Sequence, residues 1–238
     1  MNAMNHDWAE ASLRPNNTCP ALLRGLNADE MSRVWNRFEE DCLADGEVLL
    51  RDRAEPLPIG LVLKGALRED VSVPQGGTRL FALTFAGEAL SPLGPRQKGG
   101  RLSAIGDTRL LTCDHEGFAD LSREIPRLQL NLFGVLQDQI EDAHRWQLLL
   151  GRKTAAERVA SILAWFHMRQ GTPEEMDLPV TRAELGEMSS LTLETVSRQV
   201  RALEKVGVIS LPKPSQVRVL DSKALLERSC TSPILRAA

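Results

Sequence analysis

The segment Thr181–Gly207, TRAELGEMSSLTLETVSRQVRALEKVG, carries the punctuation of two short helices joined by a tight turn. Thr181 and Glu184 have capping-box spacing, a hydroxyl at the N-cap and a carboxylate three residues on. The first helix places Leu185 and Met188 inward. Ser189-Ser190 marks the turn, with hydroxyls suited to local backbone bonds. Thr192 caps the second helix, and Gly207 closes it as a left-handed residue just past its end. On that helix Leu193, Val196, Val200 and Leu203 recur at helical spacing and form an apolar stripe. Glu194, Ser197, Arg198 and Arg201 occupy another side. A carboxylate, a hydroxyl and a guanidinium on the first turns of a capped helix suit base reading. Arg holds guanine O6 and N7 with two bonds, and Glu accepts from the cytosine amino group. The bland alternative is a solvated face with a Glu194–Arg198 ion pair at i, i+4.

Around this segment the sequence resembles the Crp/Fnr transcription regulators. Leu191-Thr-Leu-Glu-Thr-Val-Ser-Arg198, preceded by Val180-Thr-Arg-Ala-Glu184, is similar to their helix-turn-helix, and Glu194-x-x-Ser197-Arg198 to the E-x-x-S-R signature of the Fnr branch. The resemblance implies a TTGAT-type half-site, with Glu194 and Arg198 on a C·G pair and Ser197 beside them. Thr181, Arg182, Thr192, Thr195 and Arg201 flank the reading face and are expected at phosphates, as hydroxyls and cations near helix N-termini position a protein without reading bases.

Upstream, Ile125-Pro126 opens a long helix, because proline suits a first turn. Phe133, Leu136, Ile140, Ala143, Gln147 and Leu150 recur in it at heptad spacing, the signature of a helix pairing with its own copy. A second stripe, Leu128, Leu132, Val135, Trp146 and Leu149, is expected to pack on the preceding β domain. A helix apolar on two sides needs two partners, which favours a homodimer over one broad buried face. Gly151-Arg-Lys153 reads as a hinge, and the run from Leu148 to Arg158 resembles the family's hinge and the start of its second domain. Thr154 and Glu157 form another capping box, followed by the core stripe Val159, Ile162, Leu163 and Phe166.

Before the long helix, Asn27-Ala-Asp-Glu30 begins a short helix with Met31, Val34 and Trp35 inward. From Cys42 to His115, Leu61/Leu63, Val71/Val73 and Phe81/Leu83/Phe85 alternate with period two between turn signals at Asp45-Gly46, Pro74-Gln-Gly-Gly77, Gly87 and Gly99-Gly100. That pattern predicts a β sandwich or roll. Glycine placement resembles the family's cyclic-nucleotide-binding-type roll. After the recognition segment, Val208–Leu211 and Gln216–Leu220 bracket Pro212-Lys-Pro-Ser215 as a hairpin wing, with Lys213 and Arg218 toward phosphate. A short helix starts at Asp221.

The expected fold is therefore α+β. A flexible N-terminus (1–20) precedes a double-stranded β-roll sensor domain (21–125), a dimerisation helix (126–150), a hinge (151–153) and a winged helix-turn-helix domain (154–238). Composition agrees: 42% hydrophobic and 26% charged residues suit a globular protein. The net charge of −3 is uneven, with 13 Lys and Arg against 10 Asp and Glu in residues 152–238, so the positive half holds the DNA motif. No run of 18 apolar residues and no signal peptide is present, which points to a cytoplasmic protein without membrane contact.

For the signal, the resemblance would place a cyclic nucleotide at Gly87, Glu88, Arg101 and Ser103, yet Leu102 interrupts the expected Arg-Ser pair. An oxygen-sensing iron–sulfur cluster normally takes four thiolates. Cys113 and Cys19 match two of the family's ligand positions, but residues 1–18 hold no cysteine. His6, His115, His144 and His167 are scattered, and no haem or metal set emerges. No cofactor is assigned and no metal site is expected. A cyclic-nucleotide-responsive regulator and a redox, haem or nitric oxide sensor remain the alternatives. Hydrolase, metalloprotease and nucleotide-loop motifs are absent, and Cys113-Asp-His115 lacks nucleophile–base geometry, since strand neighbours point to opposite faces. The expectation is no enzyme but a homodimeric regulator on double-stranded DNA, meeting RNA polymerase if it activates.

Overall fold

A computed structural model describes residues 19–50, 58–73, 76–90 and 101–229. Most of the expected flexible N-terminus, the turn at Gly99-Gly100, the first half of the Pro74–Gly77 turn, and Cys230 lie outside the described residues. The chain forms two compact units, one to Ile140 and one from Glu141.

The first unit begins with a 3-10 turn at Ala21–Leu23 and helix α1 (Ala28–Arg37), which starts at the Asn27/Glu30 capping box. Such a cap contributes about 0.5–2 kcal/mol. Six strands follow: β1 (Glu39–Leu43), β2 (Val48–Leu50), β3 (Ile59–Ser72), β4 (Thr78–Phe85), β5 (Ala89–Leu90) and β6 (Arg101–Cys113). The main order is β1-β6-β3-β4, with β2 on β6 and β5 on β3, all antiparallel. Helix α2 (His115–Glu124), absent from the sequence expectation, is capped by Asp114, whose carboxylate accepts from Gly117 N.

Residues 59–63 of β3 are buried on both faces. Ile59, Leu61 and Leu63 join Leu22, Val34, Phe118, Leu121 and Leu128 in the core beneath the helices, whereas Val62 joins Leu67, Leu90, Leu102 and Leu110 inside the roll. A strand between two apolar layers reads as a continuous apolar run. Gly65 bends β3 here with φ +77°, and a Cβ on it would meet Thr108 Oγ1 at 2.5 Å, so the crossing of β3 and β6 requires glycine. Of the expected inward set on β4, Leu83 and Phe85 are buried, but Phe81 is 54% exposed, standing where the register of edge strand β4 shifts against β3 between Leu80 and Ala82.

Helix α3 (Pro126–Arg152) crosses the division between the units. Within the first unit Leu128 and Val135 are buried and Leu132 packs against them. Leu130, Phe133 and Ile140 are 67%, 66% and 58% exposed. Trp146 and Leu149, expected against the β domain, belong to the second unit, where Leu149 is buried and Trp146 meets Trp165 edge-on at 5.6 Å between ring centroids. The stripe on this 27-residue helix is thus divided between the two units.

The second unit continues with α4 (Ala155–Arg169), β7 (Glu175–Asp177), α5 (Arg182–Ser189), α6 (Leu193–Lys205), β8 (Ile209–Lys213), β9 (Gln216–Val219) and α7 (Ser222–Arg228). Its sheet runs β7-β9-β8. Ile162, Leu163 and Phe166 of α4 meet a core that includes Leu185, Val196, Val200, Ile209 and Val217. Gly151 and Arg152 are helical, and only Lys153 and Thr154 separate α3 from α4.

His167 on α4 is 5% exposed. Its Nε2 lies 3.1 Å from Ser222 Oγ, and its buried Nδ1 has no hydrogen-bond partner. Burial holds the imidazole below the ordinary histidine range. The unfolded chain therefore binds the proton more readily, so this stability is complete above about pH 6.5 and is lost as pH falls below it. Thermal unfolding between about pH 7 and pH 5 should show a falling midpoint, and His167→Gln should flatten that slope. An unchanged slope in the variant would assign the acid sensitivity elsewhere.

Candidate nucleic-acid interface

The reading helix is set by local chemistry at both ends. Thr181 Oγ1 accepts from Glu184 N and Glu184 Oε2 accepts from Thr181 N, which starts α5. Ser189 Oγ donates back to Leu185 O at 2.6 Å, and Ser190 takes the left-handed conformation with φ +54°. The turn returns so closely that a Cβ on Gly186 would meet Leu191 O at 2.7 Å. Thr192 Oγ1 then accepts from Thr195 N and donates to Thr195 Oγ1, capping α6. Val206 ends the helix and Gly207 follows at φ +72°.

Val196, Val200 and Leu203 are buried beneath α6, and Glu194, Arg198 and Arg201 are exposed, with Ser197 and Thr195 half-buried between them. Glu194 and Arg198 make no ion pair with each other or with the described protein. The solvated i, i+4 pair is therefore not what occupies this face. Leu193 departs from the expected stripe, being 53% exposed. It is the first helical residue after the turn, and the core does not extend that far. An apolar side chain there suits a thymine methyl; the periodicity of the sequence concealed it.

The flanking residues divide. Thr181, Thr192 and Arg201 are exposed, as is Lys213 at the tip of the β8–β9 hairpin, opposite Gln216. The Arg182 guanidinium is half-buried, its Nη1 has no hydrogen-bond partner among the described residues, and burial lowers its proton affinity while Glu204 opposes that shift. Glu204 also accepts from Leu211 N at 3.2 Å, linking the end of α6 to the wing. Arg218 is paired on the surface of the second unit. A hydrogen bond and ion pair to Glu175 raise its already high pKa, and Glu174 lies at 3.9 Å. The sequence reading missed β7, which brings those acids beside β9.

Of the four residues expected around an effector, Gly87 and Glu88 lie in the turn between β4 and β5, and Arg101 and Ser103 lie on β6. Glu88 lies beside Val62 on β3, to which its carbonyl is bonded, and its Oε2 accepts from Phe85 N at 2.8 Å. Ser103 is opposite Arg68, Arg101 opposite Asp70, and Gly87 donates to Val62 O. Cys113 is buried at the end of β6, where desolvation pushes its thiol pKa up and Arg37 partly opposes this. A protonated, enclosed thiol is a poor nucleophile. Cys19 is exposed. No helix of the described residues is long and apolar enough to cross a membrane.

A three-stranded sheet, a capped helix pair and a protruding hairpin define a winged helix-turn-helix DNA-binding module attached to a β-roll. Residues 157–228 match the family model of the Crp-like helix-turn-helix domain. The chain is 31% identical over 179 residues to the transcriptional activator protein FnrL of Cereibacter sphaeroides, covering 72% of each chain. It is 31% identical to the transcriptional activator protein FnrA of Stutzerimonas stutzeri, covering 87% of this chain and 86% of that one. Among solved structures, FixK2 from Bradyrhizobium japonicum shares the fold with a TM-score of 0.68 at 24% identity, covering 82% of this chain and 98% of that one. The chain belongs to the Crp/Fnr family of DNA-binding transcription regulators. Its first unit is the family's cyclic-nucleotide-binding-like roll.

Proposed function

We propose that this regulator acts as a cytoplasmic homodimer on a palindromic TTGAT-like site. The carrying observation is the exposed, unpaired Glu194 and Arg198 on the first turns of α6. They face outward in the order that suits a C·G pair, with Leu193 beside them for an adjoining thymine methyl. The homodimer is supported by the α3 face on which Phe133 and Ile140 stand exposed at heptad spacing, with Leu136 half-covered between them. Ala143, Gln147 and Leu150 continue that spacing. Two reading helices on one side of a dimer would meet half-sites about 34–36 Å apart, one turn of DNA. Lys213 supplies phosphate attraction without sequence preference. An activator of this kind would also touch RNA polymerase.

DNA reading in this scheme is assigned to side chains of the reading helix alone, with no cofactor required. Metal-free protein should therefore shift a TTGAT palindrome in a gel equally with and without air, and fail to shift a scrambled duplex. A shift that demanded oxygen exclusion, haem or a cyclic nucleotide would replace the cofactor-independent scheme by the corresponding sensor.

A further inference from the structure

One side chain of the second unit reaches three pieces of backbone. Arg158, on the first turns of α4, donates from Nη2 to Leu150 O at 2.7 Å, from Nε to Lys153 O at 2.9 Å and from Nη1 to Ser189 O at 3.0 Å. Leu150 lies in the last turn of α3, and Ser189 is the final residue of α5. Their carbonyls are among those a helix end cannot satisfy internally. They also carry the negative end of each helix dipole, so a cation is favoured at both. Ser189 is followed after the turn by Thr192, the cap of α6. Lys153 is anchored in turn through Nζ to Ser161 Oγ and Ser229 O, at 2.8 and 2.7 Å.

We propose that Arg158 is a positioning residue that fixes the angle of the reading helix α6 against the last turns of α3, and through it the half-site spacing the dimer accepts. The inference rests on the homodimeric, palindrome-reading function above. A guanidinium is a planar fork with set directions, whereas an ammonium is a point charge. Three carbonyls from three segments therefore define an orientation that Lys cannot reproduce. Arg158 makes no base contact, so it acts only through the helix it holds.

The experiment uses the full chain with three kinds of duplex: a single half-site, a palindrome with native spacing, and palindromes lengthened or shortened by one or two base pairs. The wild type should prefer native spacing. In Arg158→Gln and Arg158→Lys that preference should shrink by about tenfold or more, while half-site affinity stays within about twofold and sedimentation still reports a dimer. A Gln variant that keeps the wild-type spacing preference overturns the proposal. So does a parallel fall of half-site and palindrome binding together with the melting temperature in both variants, which would mark Arg158 as a general packing residue. A wild type that is monomeric, or indifferent to palindromes, removes the homodimer reading and this inference with it before any variant is made.

Discussion

Replacing Arg198 with Ala is expected to abolish discrimination at one base pair of each half-site. A guanidinium held to guanine O6 and N7 is worth about 1–3 kcal/mol of discrimination. Over two half-sites that becomes about 2–6 kcal/mol, a loss of specific affinity between about thirtyfold and four orders of magnitude. The fold should be indifferent, because Arg198 is exposed and has no protein partner, and such surface changes stay within about 0.5 kcal/mol. Competition gel shifts against duplexes altered only at the C·G pair would measure the effect. Lys213→Ala is the matched control: it should weaken all duplexes alike and flatten the salt dependence, as loss of a phosphate contact does. An Arg198→Ala protein that still ranks the altered duplexes as the wild type does would remove Arg198 from the reading face.

Ile140→Asp should give the largest change in assembly. Ile140 is 58% exposed in the single chain, so a carboxylate there disturbs little of that chain's own packing. In a paired heptad seam the same carboxylate loses its water and faces its own copy. Burying such unpaired charge costs several kcal/mol per ion, and like charges add to the cost. The variant should sediment as a monomer at concentrations where the wild type is dimeric. Its palindrome affinity should fall by about a hundredfold or more, because the second half-site no longer binds as an intramolecular event. Its thermal unfolding should remain close to wild type. A variant that sediments with the wild type would place the dimer contact on another face.

The reading segment was legible because its signals are short-range. Capping boxes at Thr154/Glu157 and Thr181/Glu184, the Thr192 cap and Gly207 each act within a few residues, and all stand where the sequence puts them. Leu193 was misplaced because periodicity ranks it with Val196 and Val200, while burial depends on where the core ends. Arg182 and Arg218 looked alike in sequence to Lys213. Glu204 and Glu175, distant along the chain, distinguish them. The stripe on α3 showed that two faces need cover, but not that Trp146 would meet Trp165. Gly87 and Glu88 bond across to Val62, while Arg101 and Ser103 stand opposite Asp70 and Arg68, pairings that no linear spacing shows.

By itself, then, the order of residues determined the capped starts of α4, α5 and α6, the acid, hydroxyl and guanidinium of the reading helix, and the heptad spacing of the long one, since each follows from hydrogen bonds or periodicities spanning a few residues. Only tertiary structure decided that Arg218 pairs with Glu175 and that Arg182 is half-buried. It alone revealed that Arg158 joins three helix and loop ends, because charge pairing and carbonyl capping across tens of residues depend on distances in space that a linear spacing does not encode.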